Sequence, residues 1–103
     1  MVNHIVMWNF KEEVAEADKP QIKATMTVKL KELVGKVPGL LTADFVTEPA
    51  ASSTHELALI TTFEKVEDIA VYAKHPEHVY VADHYVRPYV CGRACLDCEI
   101  VSI

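Results

Sequence analysis

The stretch Val2-Asn3-His4-Ile5-Val6-Met7-Trp8-Asn9-Phe10 alternates in two registers at once. In an extended chain His4, Val6, Trp8 and Phe10 share one face, while Asn3, Ile5, Met7 and Asn9 share the other, because successive side chains point to opposite sides. Both faces carry large apolar groups. A strand of this kind sits inside a sheet and asks for cover on both sides.

Working outward, Asp18, Pro20 and Gln21 mark a helix start, with Asp18 as the cap. Ile22, Met26, Leu30, Leu33 and Val37 then recur at helical spacing, Lys23, Lys29, Lys31, Glu32 and Lys36 form the wet side, and Pro38-Gly39 ends the run. Residues 41–48 read as a second strand, 49–53 as a turn and 55–64 as a third strand, the two strands forming a hairpin. A short helix follows over 66–74 with Ile69, Ala70 and Ala73 inward. After Pro76 a second helix runs to about Arg87, stopped by Pro88. Cys91-Gly92-Arg93 then turns the chain into a last strand over 94–103.

The order strand, helix, strand, strand, helix pair, strand is a split βαβ arrangement of the ferredoxin-like kind. It predicts one α+β domain over residues 1–103, with a four-stranded antiparallel sheet, helices on one face, and the first strand between the third and fourth. The helix-free face would carry Ile5, Met7, Ala58 and Ile60. An uncovered apolar face of that extent predicts a partner, most simply a second copy meeting it sheet to sheet.

Composition narrows the function. The chain has 103 residues, half of them hydrophobic, and a formal charge of −5. It is long enough for one modest core and one site. The negative charge argues against a nucleic-acid partner. The first residues lack a basic head with a long apolar run, and no segment reaches the ~20 apolar residues of a membrane span, so a cytoplasmic protein without a membrane partner is expected. Three glycines, at 35, 39 and 92, form no phosphate loop, and no cofactor is expected.

Chemistry concentrates in Tyr72-Ala73-Lys74-His75-Pro76-Glu77-His78. In one continuous helix, Tyr72 and His78 would point roughly 120° apart. Pro76 holds His75 out of the helical region and lets a new helix start in a new direction, so a phenol and an imidazole can converge on one cavity. His75 itself is read as fixing the turn. Two metal-like spacings are weaker. Cys91-x-x-x-Cys95-x-x-Cys98 places Cys95 and Cys98 on opposite faces of a strand, and His75-x-x-His78 lacks a fixed third ligand. No metal site is expected, and the cysteines read as reduced structural thiols.

The opening residues 3–11, the Thr62-Phe63-Glu64 strand end, the Tyr72-x-x-His75-Pro76-x-His78 segment and the closing Asp97 together resemble the stress-responsive dimeric α/β-barrel family over essentially the whole chain. The resemblance implies a ferredoxin-like protomer pairing through its sheet into a barrel. A plant polyketide cyclase of that family implies roles for Tyr72 and His78 in a cofactor-free aldol cyclisation, and its first-strand histidine and last-strand aspartate correspond to His4 and Asp97. Asp97 would then orient an imidazole. Leu30 and Leu57 stand where the cyclase has polar groups, which implies a drier cavity for a small apolar carbonyl compound. Val6, Trp8, Met26 and Leu30 are the expected substrate contacts. Two functions fit: a lyase, cyclase or isomerase working by proton transfer beside a carbonyl, or a non-catalytic stress-response or ligand-binding dimer with structural histidines.

Overall fold

The computed structural model describes residues 1–103. Strand β1 (Val2–Phe10) leads through a short 3-10 turn into helix α1 (Lys19–Lys31), then strands β2 (Leu40–Val46) and β3 (Leu57–Phe63). Helices α2 (Glu67–Lys74) and α3 (Pro76–Val81) follow, and strand β4 (Val90–Cys98) closes the chain. The sheet order is β2-β3-β1-β4, antiparallel throughout. This is the ferredoxin-like α+β architecture expected, with β1 central and the helices on one face. No helix is long and apolar enough to cross a membrane.

The two registers of β1 have the expected consequence. Val2, His4, Val6 and Phe10 are buried toward the helices. In β3, Leu57, Leu59, Thr61 and Phe63 do the same, and Met26, Leu30 and Leu33 from the helical layer close over them. Burying such side chains, at roughly 1.5–3 kcal/mol each, is the main driving term of the fold. On the opposite face Ile5, Met7, Ala58 and Ile60 are only half-buried, and Leu96 is exposed.

Several boundaries differ from the sequence reading. Asp18 makes no side-chain cap, because the preceding 3-10 turn already holds its backbone in the helical region. Helix α1 ends at Lys31, well before Pro38-Gly39. Gly35 adopts φ +93°, a left-handed conformation that stops a helix, while the Lys36 and Val37 N–H groups both donate to the Leu33 carbonyl. Ala70 and Ala73 are exposed, and Ile69 and Tyr72 are the inward pair of α2.

The last third departs most. Beyond α3 the chain widens into a π-helical turn over Ala82–Val86, in which the Arg87 N–H donates to the Ala82 carbonyl five residues back. Cys91-Gly92-Arg93 is part of β4, which ends at Cys98. The ladder with β1 slips by one residue between Met7 and Asn9, so that Gly92 and Arg93 together stand against Trp8. Gly92, at φ +65°, supplies the left-handed residue of this bulge.

Candidate functional site

Tyr72 and His78 meet across the helix junction. His75 has extended backbone (φ −64°, ψ 132°), which breaks the helical path, and Pro76 opens α3. The Glu77 N–H donates to His75 Nδ1 at 3.1 Å, so His75 caps α3, in keeping with a turn-fixing role. The change of direction sets the Tyr72 and His78 ring centroids 4.2 Å apart.

Protonation at this pair follows from its contacts. His78 Nδ1 lies 3.1 Å from the Ala73 carbonyl oxygen. A carbonyl only accepts, so Nδ1 carries the hydrogen of the neutral ring and Nε2 keeps its lone pair. Burial pushes the His78 pKa below its ordinary value; the Ala73 hydrogen bond opposes this, and the Arg87 guanidinium adds to it. The ring is therefore a neutral base near pH 7. Tyr72 is 2% exposed, and burial pushes its phenol up to about 12, so it remains a proton donor.

His4 extends the group. It is 8% exposed and stands opposite Asp97 in the β1–β4 ladder, where its Nδ1 and the Asp97 carboxylate are hydrogen-bonded. That bond fixes the imidazole's orientation. The His4 ring meets Tyr72 edge to face at 6.1 Å between centroids. Asp97, His4, Tyr72 and His78 thus form a contiguous row, with Asp97 behind His4.

The row opens on a cavity of about 440 Å³, lined by His4, Val6, Trp8, Leu30, Tyr72 and His78 together with Ala82 and Val86 of the π-helical turn. That volume lies in the range of small-ligand sites. Of the expected substrate contacts, Val6, Trp8 and Leu30 line it. Met26 does not: at 0% exposure it is enclosed in the core, one turn of α1 away from Leu30. Three cationic residues of the lining, Lys11, Arg87 and Arg93, were not legible as site residues. The β-bulge and the π-helical turn deliver two of them, and neither irregularity has a periodic signal in the sequence.

The donor atoms that could share a metal ion are not those of either spacing motif. His4 Nδ1, Cys95 Sγ and Asp97 Oδ1 all lie within 4.8 Å of one another. Cys95 joins them because it pairs with Val6 across the ladder, on the face of His4. Nitrogen, thiolate and carboxylate suit a borderline divalent ion. Here the His4 nitrogen is already engaged by Asp97. The trio is not a nucleophile relay either, because Cys95 Sγ lies 3.7 Å from the same nitrogen that bonds Asp97. Desolvation and the neighbouring carboxylate also push the Cys95 thiol up, away from the reactive thiolate.

Comparison with known proteins agrees with this architecture. The chain is 31% identical over 84 residues to olivetolic acid cyclase from Cannabis sativa, covering 82% of each protein. A dimeric protein of unknown function and ferredoxin-like fold from Bacteroides fragilis superposes with a TM-score of 0.84 at 26% identity, over 96% of this chain and 95% of that one. Hydroxynitrile lyase from Passiflora edulis shares the fold at a TM-score of 0.73 and 20% identity, over 99% of this chain and 94% of that one. The model of the stress-responsive A/B barrel domain matches residues 2–100, and with sequence, topology and cavity in agreement the chain belongs to the stress-responsive α/β-barrel family.

Proposed function

We propose that this protein is a cofactor-free enzyme of lyase, cyclase or isomerase type that moves a proton beside a carbonyl group. The observation that carries the proposal is the pairing of a neutral imidazole with a protonated phenol on one cavity, their rings 4.2 Å apart. His78 Nε2 removes a proton from the carbon next to the carbonyl. The Tyr72 hydroxyl donates a hydrogen bond to the carbonyl oxygen as negative charge gathers there. The enolate carbon then attacks a second carbonyl carbon, whose oxygen takes the proton from the His78 imidazolium; in an isomerisation a different carbon of the delocalised enolate takes that proton instead. His4, held through its Nδ1–H by the Asp97 carboxylate, keeps its Nε2 lone pair and in its neutral form is a hydrogen-bond acceptor beside the pair. The likeness to a cyclase supports an aldol-type ring closure.

The working unit in this reading is a homodimer joined through the outer sheet face. Ile5, Met7, Ala58, Ile60 and Leu96 form an apolar surface there, and related solved structures are described as dimeric. The test of the chemistry is hydrogen–deuterium exchange at the carbon beside the carbonyl, followed by NMR in D₂O over a panel of methyl ketones. Wild type should accelerate exchange, and Tyr72→Phe and His78→Ala should each slow it by roughly 10²-fold. Exchange at the uncatalysed rate with every ketone would favour the non-catalytic ligand-binding or stress-response dimer instead.

A further inference from the structure

The proton-transfer row accounts for part of the cavity wall and leaves its charge unexplained. Lys11, Arg87 and Arg93 line the cavity, and no carboxylate does. The whole chain has the opposite balance, with 15 acidic against 10 basic residues. An unselected sample of its charged groups would be mostly negative. The three cations also come from three separate places: Lys11 just after β1, Arg87 at the end of the π-helical turn, and Arg93 in the β4 bulge. Arg87 is partly neutralised by Asp83, whereas Lys11 and Arg93 have no carboxylate partner.

Lys11 is half-buried, while Arg87 and Arg93 are exposed, so the three act as partly screened cations beside an apolar wall. Guanidinium and ammonium groups bind carboxylates through charge-assisted hydrogen bonds. We infer that the substrate is an anion, a small carbonyl compound bearing a carboxylate, with the carboxylate held by Lys11 and Arg93, the two lining cations without a carboxylate partner. The remaining apolar wall of Val6, Trp8 and Leu30 takes the hydrocarbon between the two ends. The inference rests on the proton-transfer reading only for which end of the molecule meets Tyr72 and His78; the preference for an anion stands on the charged lining alone.

The test compares keto acids with their own neutral esters, so that the carbonyl stays constant while the charge is removed. The probes are 4-acetylbenzoate with methyl 4-acetylbenzoate, and 4-oxodecanoate with its methyl ester. Titration calorimetry on the intact protein should show each acid binding about tenfold more tightly than its ester, the scale of one charge-assisted contact. That ratio should fall to about twofold in Lys11→Gln/Arg93→Gln, and should shrink in wild type as salt is raised. Arg93→Gln alone, folded by its thermal melt, guards against loss of structure in the double variant and should give an intermediate ratio. Equal affinity for acid and ester, or no binding of either acid at millimolar concentration, overturns the inference. Tight acid binding without deuterium exchange refutes the proton-transfer reading and leaves this one standing.

Discussion

Replacing Tyr72 by Phe removes one hydroxyl and keeps the ring that packs against Phe63, His4 and His78 at centroid distances of 5.4, 6.1 and 4.2 Å. Every fully enclosed side-chain N or O has a hydrogen-bond partner, and the Tyr72 hydroxyl is bonded to no protein group, so it surfaces in the cavity. At neutral pH the substitution should therefore change stability by no more than about 1 kcal/mol. Alkaline solution separates the two proteins. The phenol's ordinary pKa of 10.0 is pushed up by burial to about 12 in the fold. The folded state holds the proton more tightly, so the contribution is complete below pH ~10 and is lost as pH rises toward ~12. At about pH 11 the phenol is roughly nine-tenths ionised when unfolded and one-tenth when folded, a loss of about 1.4 kcal/mol that Tyr72→Phe cannot suffer. Urea unfolding followed by Trp8 fluorescence, at fixed protein concentration and at about pH 8 and 11, measures the difference. Parallel pH dependence in wild type and variant would refute the claim that the phenol is held protonated by burial.

The exchange rate should rise with pH through an apparent pKa below 6.5, because burial lowers that of His78, and the limb should vanish in His78→Gln; a limb above 7 would contradict the neutral-base assignment. Gly39→Ala should destabilise the protein by about 1–3 kcal/mol in chemical unfolding, since φ is +87° and an added Cβ would lie 2.9 Å from the Asp68 side chain. Ile60→Lys sets a charge in the middle of the outer face, and sedimentation should show a monomer where wild type is a dimer.

The helix junction at Tyr72–His78 was readable because proline acts locally: it removes a donor and fixes φ whatever surrounds it. The double register of β1 was readable because a strand's period of two is a property of the backbone. Met26 shows where such reading stops. Periodicity put it on the inward face of α1, correctly, but an inward face has a core part and a cavity part, and only the arrangement of the helices over the sheet separates Met26 from Leu30. Helix α1 stopped early for a related reason. Gly35 in the left-handed region and the turn bonded to the Leu33 carbonyl released Leu33 and Val37 from the helix while leaving them buried.

The sequence by itself determined the element order, the ferredoxin-like class, the two-faced central strand and the candidate pair of phenol and imidazole. Each depends on interactions among residues near one another in the chain. Only the tertiary structure decided what the pair faces. The one-residue slip of β4 on β1 and the π-helical turn after α3 bring Arg93 and Arg87 to the cavity, and ladder pairing brings Cys95 beside His4. Register and bulges are set by how whole strands and helices fit together, so the charge of the cavity wall emerges only when they do.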